Sequence, residues 1–149
     1  MFNNMDSIYY KDTKKYGKSI FSTKKIHKDE VIFTVCGPIT KKPSIYTVPI
    51  DFGLYIDPTG PGKYLNHSCN PSCGIKNRTE VVAMRDLDKN EEITIDYAMV
   101  VPRYDQKILE QDLACNCGEK NCRGEFGSYE ALSAELRKKY MGYVSDYLV

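Results

Sequence analysis

No stretch of this sequence approaches the roughly 18 consecutive apolar residues of a membrane span. Neither sign of charge dominates: 21 Lys and Arg face 20 Asp and Glu, a formal net charge of +1. No global field therefore draws the chain to nucleic acid or to an anionic membrane. Internal repeats, low-complexity tracts and long linkers are missing as well. The first ten residues, Met1 to Tyr10, are interrupted by Asn3, Asn4 and Asp6. They hold no apolar run followed by a small-residue cleavage site, which excludes an ordinary signal peptide. An intracellular setting, cytoplasm or nucleus, is the expectation. Cysteine is too sparse for a disulfide scaffold, at 6 in 149 residues or about 4%. In a reducing compartment, clustered thiols point to metal instead.

What is present fits one ordinary domain. A chain of 149 residues, 42% hydrophobic and 28% charged, is long enough to bury roughly 68–70% of its unfolded surface. Short runs rich in Val, Ile, Phe, Tyr and Thr predict strands at Ser19–Ser22, Val31–Cys36, Ile45–Val48, Phe52–Asp57, Glu80–Met84 and Glu92–Tyr97. Gly37-Pro38, Lys42-Pro43 and the segment Pro58-Thr59-Gly60-Pro61-Gly62 break them. After Pro102, Ile108, Leu109 and Leu113 predict a short helical segment. Ser128 can cap a C-terminal helix with Glu130 in its first turn, carrying Leu132, Leu136, Lys139 and Tyr143 at near-helical spacing until Gly142 bends or ends it. The fold class expected is mostly β (α+β), with a C-terminal helical tail.

Cys115-Asn116-Cys117-Gly118-Glu119-Lys120-Asn121-Cys122 sets three thiols within one short loop. Gly118 and Asn121 supply turn chemistry around a small ion. Independent free thiols are the bland reading, yet free cysteines rarely cluster with Gly and Asn between them. A structural zinc site needs four N or S ligands. Cys69 and Cys73 are the candidates for the fourth, because Cys36 sits in an apolar strand-like run.

Three stretches occur in order: Asn66-His67-Ser68-Cys69, then Glu91-Glu92-Ile93-Thr94-Ile95-Asp96-Tyr97, then Cys-x-Cys-x4-Cys-Arg-Gly from Cys115 to Gly124. Together they resemble a SET domain followed by a post-SET zinc segment, over about Ile8 to Phe126. The resemblance implies a β-clip fold of small sheets with knot-like threading. It divides the chain into a SET part (1–104), a zinc segment (105–127) and a helical tail (128–149), within one structural unit. The implied activity is S-adenosylmethionine-dependent protein lysine N-methylation, with a protein or peptide lysine as substrate, histone or histone-like among the options. No direct nucleic-acid or membrane partner is implied.

Residue by residue, Gly17, Lys18 and Ser19 match the Gly-x-Gly stretch whose backbone approaches the cofactor, with Ser19 replacing the second glycine. Asn66 and His67 match the pair that holds S-adenosylmethionine. Tyr97 matches the active-site tyrosine, and Phe126 the apolar residue that packs over the cofactor and substrate channel. Cys69 matches the fourth ligand beside Cys115, Cys117 and Cys122, which leaves Cys36 and Cys73 as packing thiols. Ile95 stands where the family often carries Phe or Tyr. A tyrosine there is associated with stopping at one methyl, so Ile95 implies di- or trimethylation. The rival, a non-catalytic SET-like module that binds peptide or cofactor, rests on Ser19 alone.

Overall fold

The computed structural model describes residues 5–14, 17–106 and 114–149. Their strands form four small sheets. β1 (Ile8–Thr13) and β2 (Gly17–Ser22) make an antiparallel hairpin. β3 (Val31–Thr34), β8 (Cys73–Lys76) and β9 (Glu80–Ala83) form a sheet in the order β3-β9-β8. β4 (Ile39–Thr40), β5 (Val48–Asp51) and β6 (Leu54–Ile56) form another in the order β4-β6-β5. The fourth is a parallel pair, β7 (Asn66–His67) beside β10 (Thr94–Ile95), with Asn66 opposite Thr94 and His67 opposite Ile95.

β9 occupies the centre of its sheet, and Val81, Val82 and Ala83 are all fully buried. A strand covered on both faces reads as a continuous apolar run, which is how this segment was legible. Ile20, Ile26, Phe33, Ile75, Leu87 and Ile93 join it in the main core.

Other strand expectations need correction. Ile45–Val48 begins as a turn, because the Ser44 N–H donates to Thr47 Oγ1 and the Tyr46 N–H to Ser44 Oγ. The strand there is Val48–Asp51. Phe52 lies in the following turn, and the next strand starts only at Leu54. Cys36 falls outside β3, in an isolated bridge to Thr59. Four strands were not anticipated: β1, carrying the polar run Lys11-Asp12-Thr13, β8, interrupted by Gly74, and the two-residue strands β4 and β7.

The predicted helix around Ile108, Leu109 and Leu113 lies outside the described residues; a short helix, α1 (Arg103–Gln106), precedes them. The C-terminal helix starts later than expected. Ser128 precedes only a 3-10 turn, Tyr129–Ala131, and makes no side-chain cap bond. Ser133 is the working cap: its Oγ accepts from the Leu136 N–H at 3.2 Å and starts α2 (Ala134–Lys139). Ala-Glu-Leu-Arg-Lys-Lys is a run of strong helix formers, with Glu135 in the first turn and three cations in the last. The segment after Ser128 therefore loses to it.

The tail is sewn to the sheets. The Ile75 N–H donates to the Tyr143 carbonyl, the Ser145 N–H to Met99 and the Asp146 N–H to Asn77, each at 2.9 Å. Gly74 makes this docking possible, since a Cβ there would lie 2.5 Å from Cβ of Tyr143. Among the described residues no helix is long and apolar enough to cross a membrane.

Candidate functional site

The β7–β10 pair brings together residues about thirty positions apart in sequence. Beyond the ladder, the Ser68 N–H donates to the Ile95 carbonyl at 2.9 Å. The Tyr97 N–H donates to Nδ1 of His67 at 3.0 Å. With Nδ1 accepting, the proton of a neutral imidazole sits on Nε2, which lies 3.3 Å from Sγ of Cys69. Burial holds His67 neutral, pushing its pKa down to about 4 against the opposing pull of Asp96. One side chain thus pins the tyrosine backbone to the cysteine loop.

The Tyr97 hydroxyl donates to the Leu65 carbonyl at 2.9 Å. Burial pushes its pKa up to about 12, so it stays protonated at neutral pH. Its hydrogen is committed to Leu65, which leaves the oxygen lone pairs as the free functionality. His67, Tyr97 and Phe126 form a triangle of rings with centroids 4.8 to 5.3 Å apart.

The amide of Asn66 donates to Oγ of Ser19 at 2.5 Å and to the Lys18 carbonyl at 3.3 Å. Ser19 is fully buried, so its hydroxyl anchors β7 to β2. Gly17 has φ +74, and nothing lies within 4 Å of where its Cβ would be. Backbone conformation calls for glycine there, and the space beside it is open. A groove of about 930 Å³ runs past Lys18, Tyr64, Asn66, Ile95 and Tyr97. His67 and Phe126 stand behind Tyr97 and do not line it; Gly17 and Ser19 sit on the strand beside Lys18.

Sγ atoms of Cys69, Cys115, Cys117 and Cys122 all lie within 4.8 Å of one another. Those of Cys69 and Cys115 are 3.9 Å apart, close to the roughly 3.8 Å edge of a tetrahedron with Zn–S bonds near 2.3 Å. The donor set fits zinc, held by these four thiolates with no place for a reactive water. Cys117 ionises most readily: burial resists, but backbone N–H groups of Cys69 and Glu119 outweigh it and lower its pKa to about 7. Burial raises the other two buried thiols, Cys69 and Cys115, a shift that a bound cation reverses.

Cys73 points elsewhere, into the main core, where burial pushes its thiol to about 12. Of the two candidates for a fourth ligand, the structure therefore groups Cys69, and not Cys73, with Cys115, Cys117 and Cys122. Gly118 supplies the turn, with φ +77. Asn121 does more than turn the chain, because its amide donates to the Cys69 carbonyl at 3.0 Å.

Asp96 escaped the sequence reading as a hub. Its carboxylate is fully buried and accepts from the Ala98 N–H, from Nη2 of Arg123 at 2.8 and 2.7 Å, and from the Tyr140 hydroxyl at 2.9 Å. A carboxylate buried just after β10, between Ile95 and Tyr97, demands hydrogen-bond donors or a cation. Which cation answers it depended on tertiary structure.

A sequence profile described as "SET domain" matches residues 17–98, more than half of the chain. A relative from Yarrowia lipolytica, "Histone-lysine N-methyltransferase, H3 lysine-36 specific", is 32% identical over 140 residues, covering 77% of this chain and 17% of the relative. One from Eremothecium gossypii, "Histone-lysine N-methyltransferase, H3 lysine-4 specific", is 36% identical over 54% of this chain and 9% of that protein. The chain therefore spans a small fraction of these relatives. Among solved structures, KRYPTONITE with mCHG DNA and SAH aligns at TM-score 0.65 and 22% identity, covering 80% of this chain and 29% of that one. KRYPTONITE with mCHH DNA, H3(1-15) peptide and SAH aligns at 0.63 and 25% identity, with the same coverage.

Proposed function

The chain belongs to the SET-domain family, and from that premise we propose that it is an S-adenosylmethionine-dependent protein-lysine N-methyltransferase. The observation that carries the reading is the Tyr97 hydroxyl at the groove, its hydrogen held by Leu65 and its lone pairs free. The relatives' names and the SAH and H3 peptide bound by the structural neighbour support it. They make a histone H3 lysine the first substrate to test.

Methyl transfer to an amine is an in-line displacement, in which alignment supplies much of the rate. S-adenosylmethionine supplies the sulfonium methyl group when bound. A lysine amine with a pKa near 10.4 must lose its proton before attack. The apolar walls given by Ile95, Val100 and Val101 disfavour the ammonium. Tyr97 is no base, because it is already protonated and stays so; its oxygen accepts from the amine and aims it. Asn66, fixed by Ser19, is assigned with Lys18, Gly17 and His67 to the cofactor side, and Phe126 to the wall behind the tyrosine.

Ser19 favours this reading over the non-catalytic one, since its hydroxyl has a definite task in holding Asn66. The partner is read as a protein or peptide and the setting as intracellular. The near-neutral charge supports a reading without direct nucleic-acid binding. The test is incubation of histones and cell lysate with labelled S-adenosylmethionine, comparing wild type with Tyr97→Phe. Tyrosine-dependent transfer to lysine supports the proposal; cofactor binding without transfer to any protein overturns it.

A further inference from the structure

We propose that Arg123 and Tyr140, acting through Asp96, are positioning residues that hold the Tyr97–Phe126 wall in place. The inference rests on the methyltransferase reading only for its kinetic readout. Both residues lie beyond the segment matched by the family profile.

Asp96 immediately precedes Tyr97 and caps the 3-10 turn Tyr97–Met99 through the Ala98 N–H. Its carboxylate therefore sets the direction in which the tyrosine leaves β10. Arg123 grips both carboxylate oxygens while its own backbone N–H reaches Sγ of Cys69 at 3.4 Å. It is thus tied at one end to the zinc loop and at the other to the tyrosine turn. Phe126 follows three residues later in the same loop, against His67 and Tyr97. Tyr140, at the C-terminal end of α2 and fully buried, donates its hydroxyl to Oδ2 of the same carboxylate.

A buried carboxylate must keep its partners or move towards water. If either partner is lost, the Asp96 carboxylate shifts, carrying the turn at Tyr97 with it and loosening the loop that presents Phe126. Only Nη2 of Arg123 bonds to Asp96, so a lysine ammonium, a single-point donor, can substitute for it in part.

The chain has no tryptophan, so Phe126→Trp installs a unique reporter in the wall. In that background, Tyr140→Phe and Arg123→Met are expected to shift emission to the red while zinc stays bound at one equivalent per chain. Arg123→Lys is expected to restore most of the wild-type emission. In the otherwise native chain, Tyr140→Phe is expected to lower kcat by about tenfold with KM for S-adenosylmethionine nearly unchanged. Unshifted emission in both variants, or a shift that follows zinc loss alone, overturns the proposal. The emission readout needs no turnover, so a chain that methylates nothing overturns the functional reading and leaves this result standing.

Discussion

The backbone N–H of Tyr97 and the ring of His67 are joined at 3.0 Å across thirty residues of chain. The same ring touches Cys69 on its other side. Tyr97 and the cysteine loop therefore share one connector, the His67 ring. Replacing His67 by Ala leaves the Tyr97 N–H without its acceptor and opens a cavity between Cys69 and Phe126. A loss of about 2–4 kcal/mol is expected. Chemical denaturation measures it, and zinc release to a chelator should be faster than in wild type.

Tyr97→Phe keeps the ring packed against His67 and Phe126 but deletes the hydroxyl. One hydrogen bond, to Leu65, is lost, at a stability cost of about 1 kcal/mol. The effect on methyl transfer should be far larger, on the order of 10²-fold, because alignment of the amine fails. Thermal unfolding and initial-rate measurements on the same preparation separate the two.

Removing zinc should silence the protein without unfolding it. The cysteine cluster, with Phe126, is separate from the main core around Phe33, Ile75 and Val81. That core contains none of the four thiolates. Chelation is expected to abolish transfer while far-UV circular dichroism keeps most of its β signal. Full activity after verified metal removal contradicts the architectural role given to the loop.

The site was more legible in sequence than the sheets that hold it. The cysteines announce themselves by residue type at short spacing, whereas Asn66, His67 and Tyr97 stand out only through the resemblance to SET-domain motifs; the structure brings all of them together. β1 is polar on most of its length, and only Ile8 is buried within it, so no alternation marked it. β4 and β7 are each two residues long, below any period that a pattern could reveal, whereas β10, also two residues, falls inside the strand expected over Glu92–Tyr97. Ser128 was the cap expected, and Ser133 was passed over. Ser133 caps the helix because the strong helix formers Ala134–Lys139 follow it. Arg123 was visible within Cys-Arg-Gly, but its attachment to Asp96 exists only once two distant segments have met.

Gly74 gives a test of how the tail is docked. An added methyl would stand 2.5 Å from Cβ of Tyr143, whose carbonyl accepts from the Ile75 N–H. β8 or the tail must move, and overpacking of this kind costs about 1–3 kcal/mol. Gly74→Ala should lower the melting temperature and raise hydrogen exchange at the Ser145 and Asp146 amides. Unchanged exchange there means that the tail is not held by this contact.

We propose that Ile95 sets how many methyl groups the groove accepts. It is buried, pairs with His67 across the parallel ladder and lines the groove beside Tyr97. It offers no hydroxyl to bind the amine or a water next to it. A neutral mono- or dimethyl-lysine amine can therefore turn its lone pair towards the reaction axis without displacing a bound water. Ile95→Tyr brings both ring bulk and a donor to that spot, whereas Ile95→Phe brings the bulk alone. Each costs about 1–3 kcal/mol through overpacking, so any difference between them isolates the hydroxyl. Wild type and Ile95→Phe are expected to yield di- or trimethylated peptide at long times, and Ile95→Tyr to stop at one methyl. Mass spectrometry of the product distinguishes them; a wild-type reaction that ends at monomethyl-lysine defeats the assignment.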